Sequence, residues 1–146
     1  MKSSQKKQLS FLVRKFINHL MKDGKKNKAE KIFFSSLASL REKENKNPFF
    51  VFLLALKNSL PYVEVRSIRR GGATYQIPVP LYEHRALSLA MKWILQCARK
   101  KGKSMSVSLS QSILEASKNQ GDSVKKREAL HALALKNRSL SHFRWF

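Results

Sequence analysis

The sequence is short of most features that small proteins use for specialised chemistry. It has a single cysteine, Cys97, which excludes an internal disulfide, and its four histidines offer no metal-finger spacing. Only nine of its 146 residues are acids. Glu42 and Glu44 form the only close acid pair, on a polar stretch between helices, so no general acid/base pair stands out. His131 and His142 are spaced to share a helical face, but no acid follows Glu128 to orient either one, and neither a catalytic nor a metal role is expected. Gly71-Gly72 lacks the spacing of a nucleotide-binding loop and reads as a turn. The longest apolar run, Pro48 to Leu56, is about half the ~20 residues of a membrane span and gives way to Lys57 and Asn58. There is no repeat of 20 to 50 residues and no low-complexity segment. An enzyme, a cofactor carrier, a membrane protein and a repeat array are all disfavoured.

Cationic and apolar residues, by contrast, are abundant. Thirty Lys and Arg give a net charge of +21, while hydrophobic residues still make up 42% of the chain. The apolar content suffices for one modest core, so the expectation is a single domain spanning residues 1–146 rather than a disordered basic tail. Its natural partner is a polyanion.

Periodicity places about six helices around one change of pattern. Leu9, Leu12, Val13, Phe16, Ile17 and Leu20 share one helical sector behind a basic N-terminal tail (1–8), and Asp23-Gly24 closes that helix. The tail and first helix have the basic, serine-containing composition of a transit peptide, but the pattern runs unbroken into the helix. Ala29, Ile32, Phe33, Leu37 and Leu40 repeat the pattern. Asn47-Pro48 opens a third helix, apolar nearly all round and therefore expected at the centre, with Phe49, Phe52, Leu53, Leu56 and Leu60 as core candidates. From Pro61 the period becomes two, and residues 62–80 read as a β-hairpin arm across Gly71-Gly72, with Ile68 opposite Tyr75 and Arg66 opposite Ile77. Two strands make no sheet, so the arm needs something to lie on. Ala86, Leu89, Ala90, Trp93, Ile94 and Cys97 mark the fourth helix, Leu109, Ile113, Leu114 and Ala116 a weaker fifth, and Leu130, Leu133 and Leu140 the sixth, which begins at Asp122 or Ser123. The fold class is mainly α, a helical domain with a protruding two-stranded ribbon.

The cations on these helices are periodic. Arg85, Lys92 and Arg99 recur every seven residues on the fourth helix, Lys15 and Lys22 on the first, and Arg127, His131, Arg138 and His142 line one side of the last. Almost no acid is interleaved to form the i,i+4 pairs of an ordinary solvated face. The arm adds Arg66, Arg69 and Arg70 with Tyr75 near its tip, suited to a phosphate backbone and an unstacked base. Lys6 and Lys7 in the tail and Arg144 near the end complete the set. Stripes on differently oriented helices fit folded RNA better than a uniform duplex groove.

The stretch PYVEVRSIRRGGATYQIPVPL closely resembles the small-subunit ribosomal protein seven family. INHLMKDGKKNKAE, LAMKWILQCARKKGKSM and VKKREALHALALKNRSLSHFRWF extend the similarity over nearly the whole chain in the right order. The resemblance implies a protein without enzymatic activity that binds the 3′ major domain of small-subunit rRNA and helps nucleate head assembly. It further implies a ribbon pointing toward the exit-site tRNA and the mRNA exit channel, and contact with ribosomal protein eleven. Carried onto this chain, the rRNA-facing residues are Lys25 and Lys26 of DGKK, Arg66, Arg69 and Arg70, Arg85 and Lys92, Arg99, Lys100, Lys101 and Lys103 of ARKKGK, and Lys125, Lys126 and Arg127 of VKKRE. Bacterial members usually carry a longer basic extension, whereas about a dozen residues precede Arg14 here. The aromatic ending His142-Phe143-Arg144-Trp145-Phe146 and the richness in Lys, Asn, Phe and Ser are similar to organelle-encoded mitochondrial members, so a mitochondrial ribosome is expected without a cleaved targeting peptide, with plastid or bacterial cytoplasm as alternatives. The rival is a free-standing architectural DNA-binding protein with a basic β-arm. Such arms carry an apolar or proline wedge where this one has Gly71-Gly72, and no spare apolar face for dimerisation is apparent.

Overall fold

The computed structural model describes residues 3–44 and 46–143. In chain order these form α1 (Ser3–Leu20), α2 (Lys26–Lys43), α3 (Pro48–Ser59), β1 (Val63–Arg70), β2 (Ala73–Pro80), α4 (Glu83–Lys100), α5 (Met105–Ser117), α6 (Asp122–Lys136) and a 3-10 helix (Arg138–Phe143). The fold class expected from the sequence is the one observed. Helix α1 starts at Ser3, so most of the stretch read as a tail is the helix's first turns.

Local chemistry accounts for the boundaries. Asp23 and Gly24 both adopt positive φ, 53° and 70°, which turns the chain from α1 into α2. The Asn47 side-chain oxygen accepts from the Phe49 N–H at 3.0 Å and Pro48 occupies the first turn, capping α3. Gly121 precedes α6 at φ 89°, where a Cβ would come within 3.0 Å of the Glu115 Cβ.

Phe16, Phe33 and Phe52, one from each of the first three helices, are fully buried and pack mutually with ring centroids 5.1 to 5.4 Å apart. Edge-to-face and tilted geometry of this kind adds about 0.5–1.5 kcal/mol per pair beyond burial. Met91, Ile94 and Leu95 of α4 and Leu109 and Ile113 of α5 complete the same core. Helix α3 is less enclosed than its composition predicts, since Phe50 is exposed. It shares the centre with α5, which touches α2, α3, α4 and α6. The α5 periodicity is weak in sequence because Ser108, Ser110 and Ser112 occupy buried positions there.

Helix α6 departs furthest from expectation. Its buried residues are Ser123, Val124 and Ala134, while Leu133 and Leu135 are exposed and Leu130 is only partly covered. Leu140 lies beyond it in the 3-10 helix.

The hairpin register is as read from the sequence, Ile68 facing Tyr75 and Arg66 facing Ile77, across Gly71 and Gly72 at φ 56° and 81°. Opposed residues share a face, so Glu64, Val79 and Ile77 lie on the same side, and all three are buried. The arm lies on α6 and the 3-10 helix, which supply the support its two open edges lack.

Candidate nucleic-acid interface

The seven-residue spacing of Arg85, Lys92 and Arg99 sets them along one side of α4 over about 21 Å, and all three are exposed. The opposite side of α4 buries Ala90, Met91, Ile94, Leu95 and Ala98 in the core. Helix α1 packs along one flank of α4 and α6 along the other. On the α1 flank, the Lys15 ammonium donates to the His84 carbonyl at 3.1 Å. His19 sits close by: burial, then the charges of Lys92 and Lys15, hold its pKa below the ordinary value. On the α6 flank, Lys126 donates to the Gln96 side-chain oxygen at 2.6 Å.

A buried acid joins this face to the arm. The Glu64 side chain is 8% exposed and each of its oxygens takes one arginine: Oε1 accepts from Arg66 Nε at 2.6 Å and Oε2 from Arg85 Nε at 2.8 Å. Burial pushes the Glu64 pKa up, but hydrogen bonds from Arg85 and Arg66 and their charges outweigh it, so the carboxyl titrates below its ordinary range. Both arginines remain about half exposed. Each uses Nε toward Glu64, which fixes the guanidinium plane at the root of the arm.

Beyond Arg99 the face opens into a cleft of about 330 Å³ at the junction of α1, α2, α4 and α5, rimmed by Lys22, Lys25, Lys28 and Arg99. Lys26 lies outside it, 3.9 Å from Glu30. Lys100, Lys103 and Lys125 are exposed at the same end of the chain's α4–α6 region, whereas Lys101 is held by Glu115 at 2.7 Å.

The structure separates the remaining residues from this face. The Arg127 side chain is only 19% exposed and donates to the Asn58 carbonyl at the end of α3. His131 Nε2 accepts from the Tyr62 N–H at 3.2 Å, and its ring stacks on Tyr62. Accepting that bond requires an unprotonated Nε2, and burial, then the Arg127 charge, shifts the His131 pKa downward, the direction that favours it. The predicted row Arg127, His131, Arg138, His142 does not exist, because α6 ends at Lys136 and the 3-10 helix that follows winds three residues per turn. His142 Nδ1 lies 2.6 Å from the Ser139 carbonyl, and Arg138 is exposed. Tyr75 is not a bare stacking platform: its ring packs on Phe143 at 5.4 Å, and the Arg70 guanidinium lies 5.0 Å from the same ring. Arg69 is exposed on the other side of the ribbon. The side chains of Lys6 and Lys7 are not described, and Arg144 lies outside the described residues.

Three contributors escaped the sequence reading. Lys28 follows Lys25 by one helical turn and His19 follows Lys15 by one, spacings that would have found both. Glu64 carried only half a signal: Arg66 follows it by two residues on the same strand face, but nothing in the spacing hints that Arg85, 21 residues on, will converge on the same carboxylate.

The family model of ribosomal protein S7p/S5e matches residues 1–138. The small ribosomal subunit protein uS7 of Petrotoga mobilis is 50% identical over 135 residues, covering 92% of this chain and 87% of the relative. Its counterpart in Vibrio campbellii is 48% identical over 137 residues, covering 93% and 88%, and that of Desulfovibrio desulfuricans is 47% identical over 137 residues, again covering 93% and 88%. With one family model over nearly its full length and a fold of helices carrying a basic ribbon, the chain belongs to the ribosomal protein S7p/S5e family.

Proposed function

We propose that the protein is a structural component of the small ribosomal subunit that binds rRNA through the α4 face and the root of the arm. The observation that carries this reading is the continuity of cations from Arg66 through Arg85 and Lys92 to Arg99, held by a core on the other side of α4. The mechanism is electrostatic. Cations in a fixed row neutralise adjacent phosphates and displace their counterions, while Glu64 fixes the orientation of the Arg66 and Arg85 guanidinium groups where the arm meets the α4 face.

On the same reading the RNA is the 3′ major domain, the protein helps nucleate assembly of the head, and the arm faces the exit-site tRNA and the mRNA exit channel beside ribosomal protein eleven. The resemblance of the sequence to its family supports these finer assignments. The composition, rich in Lys, Asn, Phe and Ser, supports the mitochondrial ribosome, and the bacterial relatives support the bacterial cytoplasm as the alternative. Sedimentation of a gently lysed mitochondrial extract at low and high magnesium tests the reading. Co-migration of the protein with the small subunit at both is expected; migration with DNA or as a free protein would overturn it.

A further inference from the structure

We infer that the cleft beyond Arg99 is a seat for a single unstacked RNA base, with the phosphates on either side of that base held at its rim. The inference rests on the RNA-binding reading above and adds a specific pocket to it. Four cations converge on the rim from three places: Lys22 after the end of α1, Lys25 and Lys28 at the start of α2, and Arg99 near the end of α4. None of the residues lining the cleft is acidic. Helix α2 also begins here with no acid in its first turn and no side-chain cap at Lys25, which leaves the positive end of its dipole directed at the same place.

The floor has the opposite character. Met21, Ile32 and Met105, all partly buried, form its accessible part over the buried Leu20 and Ala29. A volume of about 330 Å³ is at the lower end of the range for small-ligand sites. Two unbranched thioethers adapt to a flat ring and make favourable sulfur–aromatic contacts. No side chain with a neutral hydrogen-bonding group lines the cleft, and with its lysines and arginine engaged by the flanking phosphates the base is held by stacking rather than by contacts to its edges. An apolar floor under a cationic rim matches a nucleotide, aromatic at one end and anionic at the other, and matches neither a bare phosphate nor an apolar peptide. Because rRNA exposes such bases at bulges and loops, the cleft would accept one of any identity.

The test uses the full-length protein with 13C-methyl-labelled methionine. Adenosine 5′-monophosphate should shift the Met21 and Met105 methyl resonances and leave the fully buried Met91 unchanged, while ribose 5-phosphate and inorganic phosphate should shift neither. In parallel, affinity is measured for a hairpin RNA with one bulged adenosine and for the same RNA with an abasic residue at the bulge. Loss of the base should weaken binding about tenfold, and Ile32→Trp, which fills the cleft, should abolish that difference while preserving salt-dependent RNA binding. Equal affinity for the two RNAs, with strong salt-dependent binding to both, would overturn the pocket and leave the interface standing. Absence of salt-dependent binding to either would overturn both. Methyl shifts with ribose 5-phosphate would reduce the site to its cations, and shifts with an acidic peptide in place of the nucleotide would assign it to a protein neighbour.

Discussion

Glu64 is the residue on which the geometry of the arm root depends. Replacing it with Gln removes the charge that both Arg66 and Arg85 face, and with those arginines about half exposed the expected loss of stability is about 1–2 kcal/mol. Because the folded-state pKa of Glu64 lies below its ordinary value of 4.5, its contribution is complete above that value and is lost as pH falls through the lower, folded value. Urea denaturation of wild type and Glu64→Gln should therefore diverge near neutrality and converge in strong acid; parallel curves at all pH values would refute the coupling. His19 gives a second residue-scale prediction. Its pKa is held down by burial and by Lys92 and Lys15, so phosphates placed over those lysines should raise it. Histidine NMR titration with and without an RNA fragment checks this, and an unchanged value would place the RNA elsewhere.

At the scale of elements, the arm depends on the 3-10 helix. Phe143 packs on Tyr75 and under Arg70, so Phe143→Ala should speed amide exchange in β1 and β2 without changing helical circular dichroism. Unaltered exchange would mean that α6 alone braces the ribbon. Most of the elements were legible in the sequence, each for a physical reason. Helices α1 and α4 carry strong 3.6-residue apolar periods, Asn47-Pro48 is a chemical start signal, and Gly71-Gly72 sets the hairpin register that is observed. The exceptions have reasons too. Helix α5 was faint because half of its buried residues are serines, and α6 misled because its leucines do not mark its core side. The row of cations along the last helix failed because periodicity was extended past Lys136, where the helical pitch changes. Of the interface, the α4 stripe was visible in the spacing. The uses of Arg127, His131 and Tyr75 within the protein were not, since each depends on a partner far away in sequence.

For the molecule as a whole, a net charge of +21 on 146 residues makes binding a matter of ionic strength. If about 6–10 phosphates are contacted, affinity for an rRNA fragment should fall by roughly 10³–10⁵ between 50 and 200 mM salt, less steeply for single strands. Replacing Arg85, Lys92 and Arg99 together with Gln should flatten the slope of log affinity against log salt by about three units while helicity is retained, because these side chains point away from the core. An unchanged slope would remove α4 from the interface. Arg127→Ala should behave in the opposite way, costing about 1–2 kcal/mol of stability with little effect on the salt slope, since its guanidinium serves the Asn58 carbonyl.

The burial of Cys97 has a practical consequence for following the arm. The thiol is 4% exposed on the inner side of α4, and burial pushes its pKa up, so in the folded protein it is a poor nucleophile toward maleimides and similar reagents. A cysteine introduced at the exposed Ser67 would then be the reactive thiol of the chain, and a fluorophore attached there would report the distance from the ribbon to a labelled RNA without removal of the native residue.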